Sequence, residues 1–187
     1  MLKFMKHSLV SAGIKLSLLT LASRILGLVR EMTKAAFLGT SALADAFGVA
    51  FMIPNLLRRI FAENSMTVAF IPTFQTYLEE EKRNTPDAKA SMKEFLSATF
   101  TMLSFAVTGT VIIGILCSGL IIAVFFPKIG DFSATVLLTR IMFPYLLLIS
   151  IAAFFQGILN GVRSFLPTGI TPILFNLSVI GCTFVLA

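Results

Sequence analysis

Residues 95–126 read FLSATFTMLSFAVTGTVIIGILCSGLIIAVFF, an apolar run without one charged side chain. About 20 residues of this kind cross the hydrocarbon core of a bilayer as a helix, so the run is long enough for a tilted span. The whole chain shares its character. Its 187 residues are 57% hydrophobic and 13% charged, Phe is abundant, and the mean hydropathy is +0.93. That balance is far from a soluble domain's. The fold expected is all-α, a polytopic membrane helical bundle.

Outward from this run, four more spans can be marked. Upstream lie residues 14–37 and residues 44–74, the second with a break near Pro54. Downstream, after a turn at Pro127 to Asp131, a span covers 134–159; after a second turn at 160–167 another covers 168–187. The stretch 75–94, with Glu79, Glu80, Glu81, Lys82, Arg83, Lys89, Lys93 and Glu94, reads as the only substantial loop. The fifth span is still apolar at Ala187 with no charged flank, so the chain is expected to be the front part of something longer.

Orientation follows from Lys and Arg in the connecting segments. Lys3, Lys6, Lys15, Lys82, Arg83, Lys89, Lys93 and Arg163 fall on one side, against Lys34 and Lys128 on the other. The positive-inside rule therefore places the N-terminus and the 75–94 loop in the cytoplasm. A cleavable leader is the competing reading of residues 1–23, but Lys15 interrupts its apolar run and no clean small-x-small site follows.

Several functions are disfavoured on chemical grounds. The net charge of +6 is scattered through apolar segments and short ends, with no solvated basic face for nucleic acid. The single histidine, His7, lies in the tail, and Cys117 and Cys182 sit in apolar runs as small hydrophobes. No Cys, His and acid set has metal-ligand spacing, no Gly-rich loop would cradle a nucleotide, and no Ser has a partnered base. Neither a metal, a cofactor nor an enzymatic activity is expected. A membrane-embedded transferase would lack its catalytic base.

What stands out instead is charge inside apolar segments. Arg24 and Arg30 lie in the first span, Arg58 and Arg59 in the second. Each costs at least about 2.5 kcal/mol at the bilayer centre even on the lenient insertion scale, and such residues by default mark a pathway. Ser17, Thr20, Ser23, Arg24, Gly27, Arg30, Glu31 and Lys34 collect within an arc of roughly 140° on a helix wheel. In the second span Asn55, Arg59 and Glu63 follow at i, i+4 and i+8, stacking on one face, which Asp45 and Gly48 prolong if Pro54 preserves the register. At a rise of about 1.5 Å per residue, Arg24 lies about 15 Å in from the cytoplasmic side and Arg58 and Arg59 about 21 to 23 Å in from the other. Both pairs are thus expected within reach of one ligand. A guanidinium fork matches phosphate oxygens two at a time, so phosphate or pyrophosphate is the natural guess, though a carboxylate would also fit. The competing account is that Glu31 simply neutralises Arg24 or Lys34 in a packing network.

These residues are specific enough to suggest a family. Ser23-Arg24-Ile25-Leu26-Gly27-Leu28-Val29-Arg30-Glu31, Ala44-Asp45-Ala46-Phe47, Ala50-Phe51, the run from Ile53-Pro54-Asn55 through Arg58-Arg59 to Glu63, and Ala69-Phe70-Ile71-Pro72 closely resemble the start of the MurJ (MviN) lipid II flippases. Arg140-Ile141-Met142, Pro144-Tyr145 and Gly157 to Asn160 look like the same family's fourth helix. The resemblance implies a two-lobed transporter of the multidrug/oligosaccharidyl-lipid/polysaccharide exporter type in the bacterial cytoplasmic membrane. The five spans would form most of its N-terminal lobe, with bilayer lipids and the absent C-terminal lobe as partners. It would carry the undecaprenyl-pyrophosphate-linked peptidoglycan precursor to the periplasmic leaflet by alternating access. By the same resemblance Arg24, Arg30, Arg58 and Arg59 hold the pyrophosphate, and Asp45 lies near a periplasmic gate, in a charge network with Glu31, Asn55 and Glu63. One departure stands at Ala62-Glu63-Asn64-Ser65, where the family usually continues Ala-Glu-Gly-Ala.

Two function classes stay open: a transporter of a pyrophosphate-linked lipid, with a related exporter of another anionic lipid or drug as its narrower rival, and an inactive membrane remnant or scaffold. One partial lobe cannot seal a cavity alternately on two sides, so the chain alone is expected to be inactive. The topology is testable by itself. In a background lacking Cys117 and Cys182, a cysteine at Thr85 should resist an impermeant thiol reagent in intact cells, and one at Gly130 should react. The reverse labelling pattern would invert the topology.

Overall fold

The computed structural model describes residues 2–39, 41–64, 66–83 and 86–186, with side chains described for 14–39, 41–61, 68–83 and 86–185. Its elements are α1 (Leu2–Leu38), α2 (Ala42–Arg58), α3 (Ile71–Lys82), α4 (Ala88–Phe125), α5 (Phe132–Met142), α6 (Pro144–Gly161) and α7 (Leu166–Leu186). Between α2 and α3 the backbone winds in wider π-type turns, Arg59–Asn64 and Met66–Phe70. No strand occurs among the described residues. The protein is an all-α membrane helical bundle. By length and composition Ala88–Phe125, Phe132–Gly161 and Leu166–Val185 can cross a membrane. The other two expected spans, 14–37 and 44–74, fall on the charge-bearing helices α1 and α2 and the segment that follows α2.

The chain folds as two compact units, Met1–Gly39 with Arg163–Ala187, and Thr40–Val162. In the first, α1 packs along α7. Leu16 and Leu19 lie against Gly169, and the Phe37 and Phe184 rings meet edge to face at 5.4 Å. Gly39, at φ +60°, ends α1 in the left-handed conformation that glycine adopts without a Cβ penalty, and its N–H closes onto the Ala35 carbonyl.

The second unit has two apolar centres. Phe70, Phe74 and Phe154 form one, with Phe95 and Phe100 against them; Val107, Val111, Phe143 and Leu146 form the other, with Ile53, Leu57 and Phe61. On α4 the buried residues Val107, Val111, Gly114, Ser118 and Ile122 recur every three or four positions, while Met102, Phe105 and Leu116 on other faces are three-quarters exposed. Apolar surface of this kind costs nothing in hydrocarbon, so exposure is no penalty for a helix able to cross a membrane. The contact face is chosen by fit, through small residues such as Gly114 and Ser118.

Several expected boundaries shift. The 75–94 segment is mostly helical: α3 runs to Lys82 and α4 starts at Ala88. Phe74 and Leu78 lie one turn apart and pack with Met92 and Phe95, and Tyr77 stacks on Phe95 at 4.9 Å. This amphipathic pairing holds two helix ends together, with Glu79, Lys82, Lys89, Lys93 and Glu94 exposed. The break expected near Pro54 moves as well. Pro54 is fully buried inside α2, which packs along α5 and continues to Arg58; the backbone departs from α geometry only from Arg59. The span 134–159 is divided instead, between α5 and α6. Pro144 has no N–H to return to the previous turn, and Phe143 bridges the two helices, accepting from Leu146 and donating to Thr139.

Gly114 owes its conservation of space to Phe143, whose ring occupies the volume a Cβ on Gly114 would need. Gly114→Ala should therefore lower stability by about 1–3 kcal/mol through overpacking, read as a lower thermal midpoint in detergent. Gly109, with nothing within 4 Å of a Cβ, should gain slightly from the same change. Equal effects at the two positions would remove the ring-in-notch explanation.

Candidate functional site

In the first unit the polar strip of α1 has two edges. Ser23, Gly27, Arg30 and Lys34 are half-buried, whereas Ser17, Thr20, Arg24 and Glu31 are exposed. The strip meets α7 at Asn176, which is only 5% exposed. Its Nδ2 donates to the Ser23 carbonyl at 3.0 Å, and its Oδ1 accepts from a terminal nitrogen of Arg30 at 3.1 Å. A Cβ at Gly27 would meet Nδ2 at 3.7 Å, an ordinary van der Waals contact.

Arg30 is held on three sides. Beyond Asn176, its Nε and second terminal nitrogen donate to one oxygen of Glu31 at 3.1 and 2.6 Å, and its guanidinium carbon stands 5.5 Å from the Phe175 ring centroid. The other Glu31 oxygen accepts from Lys34 at 3.0 Å. Glu31 therefore bridges two cations, with side-chain exposures of 25% for Arg30 and 28% for Lys34 against 53% for the carboxylate itself. Arg24, one of the expected ligands, is exposed on the other edge of the strip.

The remaining expected residues belong to the second unit. The stack expected of Asn55, Arg59 and Glu63 relied on regular winding through Arg59. Asn55 Oδ1 accepts from Arg58 Nε at 2.9 Å, and from Arg59 onward the i→i+5 turns break the four-residue register. Arg59 is exposed, and the side chain of Glu63 lies outside the described residues, as does Ser65 of the departing Ala-Glu-Asn-Ser stretch. Asp45 is exposed in the first turn of α2, behind a Ser41 cap that accepts from the Ala44 N–H at 3.2 Å. An acid there stabilises the helix N-terminus by its charge.

Two contacts went unread in the sequence. Asn176 is the one amide in an otherwise apolar or hydroxyl-bearing helix, and that isolation was the available signal. Arg140 on α5 donates through Nε to Ser118 on α4 at 2.9 Å, and Ser118 in turn donates to the Ile115 carbonyl. An intramembrane arginine was again the signal. Beside these, α2 and α4 enclose an apolar groove of about 530 Å³, lined by Met52, Leu56, Ile113, Gly114, Ile121 and Phe143 among others. Among the described residues no cluster of His, Cys, Asp and Glu has a metal-holding arrangement.

Residues 34–187 match the family model described as lipid II flippase MurJ. The chain is similar to a probable lipid II flippase MurJ of Treponema pallidum, 53% identical over 94% of this chain and 33% of that protein. It is also similar to a probable lipid II flippase MurJ of Vibrio cholerae, at 35% over 96% of this chain and 35% of that protein. The lipid II flippase MurJ of Burkholderia cenocepacia is 35% identical over 96% of this chain and 34% of its own length. The chain spans about a third of the length of these curated relatives. It belongs to the lipid II flippase MurJ family.

Proposed function

We propose that this chain supplies part of a lipid II flippase and that Arg24, Arg30, Arg58 and Arg59 bind the pyrophosphate of the lipid-linked precursor. Flippases are transport proteins and not enzymes. The observation that carries this reading is Arg30, an intramembrane guanidinium set firmly on α7 yet bridged to Lys34 only through a half-exposed carboxylate. The Glu31 bridge has the chemistry of a counter-ion that a stronger, doubly charged acceptor would displace. The N-terminus faces the cytoplasm in this proposal, following the positive-inside count. The rest of the transporter supplies the second body against which alternating access requires the first to rock.

The Glu31 bridge also favours a second reading, in which the charges are purely structural and the carboxylate neutralises Arg30 and Lys34 permanently. Complementation separates the two. In the full-length protein, Arg24→Ala or Arg59→Ala should abolish rescue of a flippase-depleted cell while insertion into the membrane persists. Lysine at the same positions should rescue poorly, because a point charge cannot reproduce the planar fork. Wild-type growth with both alanines would leave the structural reading standing.

A further inference from the structure

Asn176 is a neutral side chain buried in an apolar helix, and both ends of its carboxamide are used. Nδ2 faces the Ser23 carbonyl on α1, so Oδ1 must face Arg30; the amide has one orientation that satisfies both partners. The Ser23 contact anchors the amide to the backbone of α1, seven residues before the arginine it serves. The guanidinium is thereby fixed by a group that carries no charge. This distinction matters, because a carboxylate in the same place would neutralise the cation it positions, as Glu31 does from the exposed side.

The donor count shows what the arrangement leaves. Arg30 has five N–H groups. Among the described residues Asn176 takes one and Glu31 takes two, so two remain for a further acceptor. The Phe175 ring, adjacent to Asn176 in the chain, supports the same guanidinium by its face, so successive residues of α7 hold Arg30 by two different forces.

We propose that Asn176 is a positioning residue that holds the Arg30 guanidinium in place for a pyrophosphate group. This rests on the reading of Arg30 as a pyrophosphate ligand. Asn176 does not touch the anion; it fixes the fork before the anion arrives, so that binding does not have to immobilise a long side chain.

The test is a ³¹P NMR titration of the full chain in nanodiscs, with inorganic pyrophosphate in one arm and farnesyl pyrophosphate in the other. Asn176→Leu keeps the volume and removes the hydrogen bonds, and Asn176→Ala provides a second variant, with helicity checked by circular dichroism. Each variant should bind both probes about tenfold more weakly, the scale of one lost hydrogen bond to a charged group. In an Arg30→Ala background the Asn176 substitutions should cost nothing further, since a residue acting only through Arg30 has nothing left to position. Normal binding by the Asn176 variants, or a loss that adds in full to that of Arg30→Ala, would overturn the positioning role while Arg30 kept its own. A loss confined to farnesyl pyrophosphate would overturn it too, because it would place the effect on the hydrocarbon. Undiminished binding by Arg30→Ala would overturn both this role and the reading of Arg30.

Discussion

A guanidinium in an apolar helix carries N–H groups that hydrocarbon cannot satisfy, and meeting three of the five on Arg30 organises the α1 and α7 pair. The sequence places Arg30 one residue before Glu31 and four before Lys34, so the helix itself supplies part of the answer. The rest comes from α7, where a buried amide and an aromatic ring arrive together. The close approach of the two helices is tightest at Gly169, where a Cβ would press on Leu19 and Leu16. Polar demand and apolar fit thus select the same helix pairing.

The second unit solves the equivalent problem with different means. Arg58 donates through Nε to Asn55 one helix turn back, and Arg140 reaches across to Ser118 on another helix. Buried threonines at 135 and 139 need neither, because each hydroxyl donates to a carbonyl four residues back. The apolar centres around Phe70 and Phe143 then set the helix faces, and the exposed side of α4 carries bulky apolar side chains.

Much of this was legible in the residues. Composition and run length gave the all-α membrane class, and the helical extent of 95–126 agrees with α4 apart from its earlier start. The motif from Ser23 to Glu31 pointed to the family. What escaped the sequence had identifiable causes. Charge density made 75–94 look like a loop, but Phe74, Tyr77 and Leu78 were spaced for a helix and found Phe95 to bury against. Pro54 looked like the interruption because its missing N–H is visible in one letter, whereas the wide turns from Arg59 follow from backbone hydrogen bonding that no single residue announces. The Asn55, Arg59 and Glu63 stack assumed regular winding across that stretch. Asn176 was missed for the opposite reason, as one polar residue lost in an apolar average.

The Phe143 ring seated in the notch of Gly114 also constrains the history of the sequence. Neither position is free to drift alone, but their restrictions differ. Phe143 can shrink first, leaving a void that later substitutions fill, whereas a larger residue at 114 overpacks the notch while the ring is present. Along this pair the less costly order of substitution is the loss of the ring at 143 before the gain of a larger residue at 114.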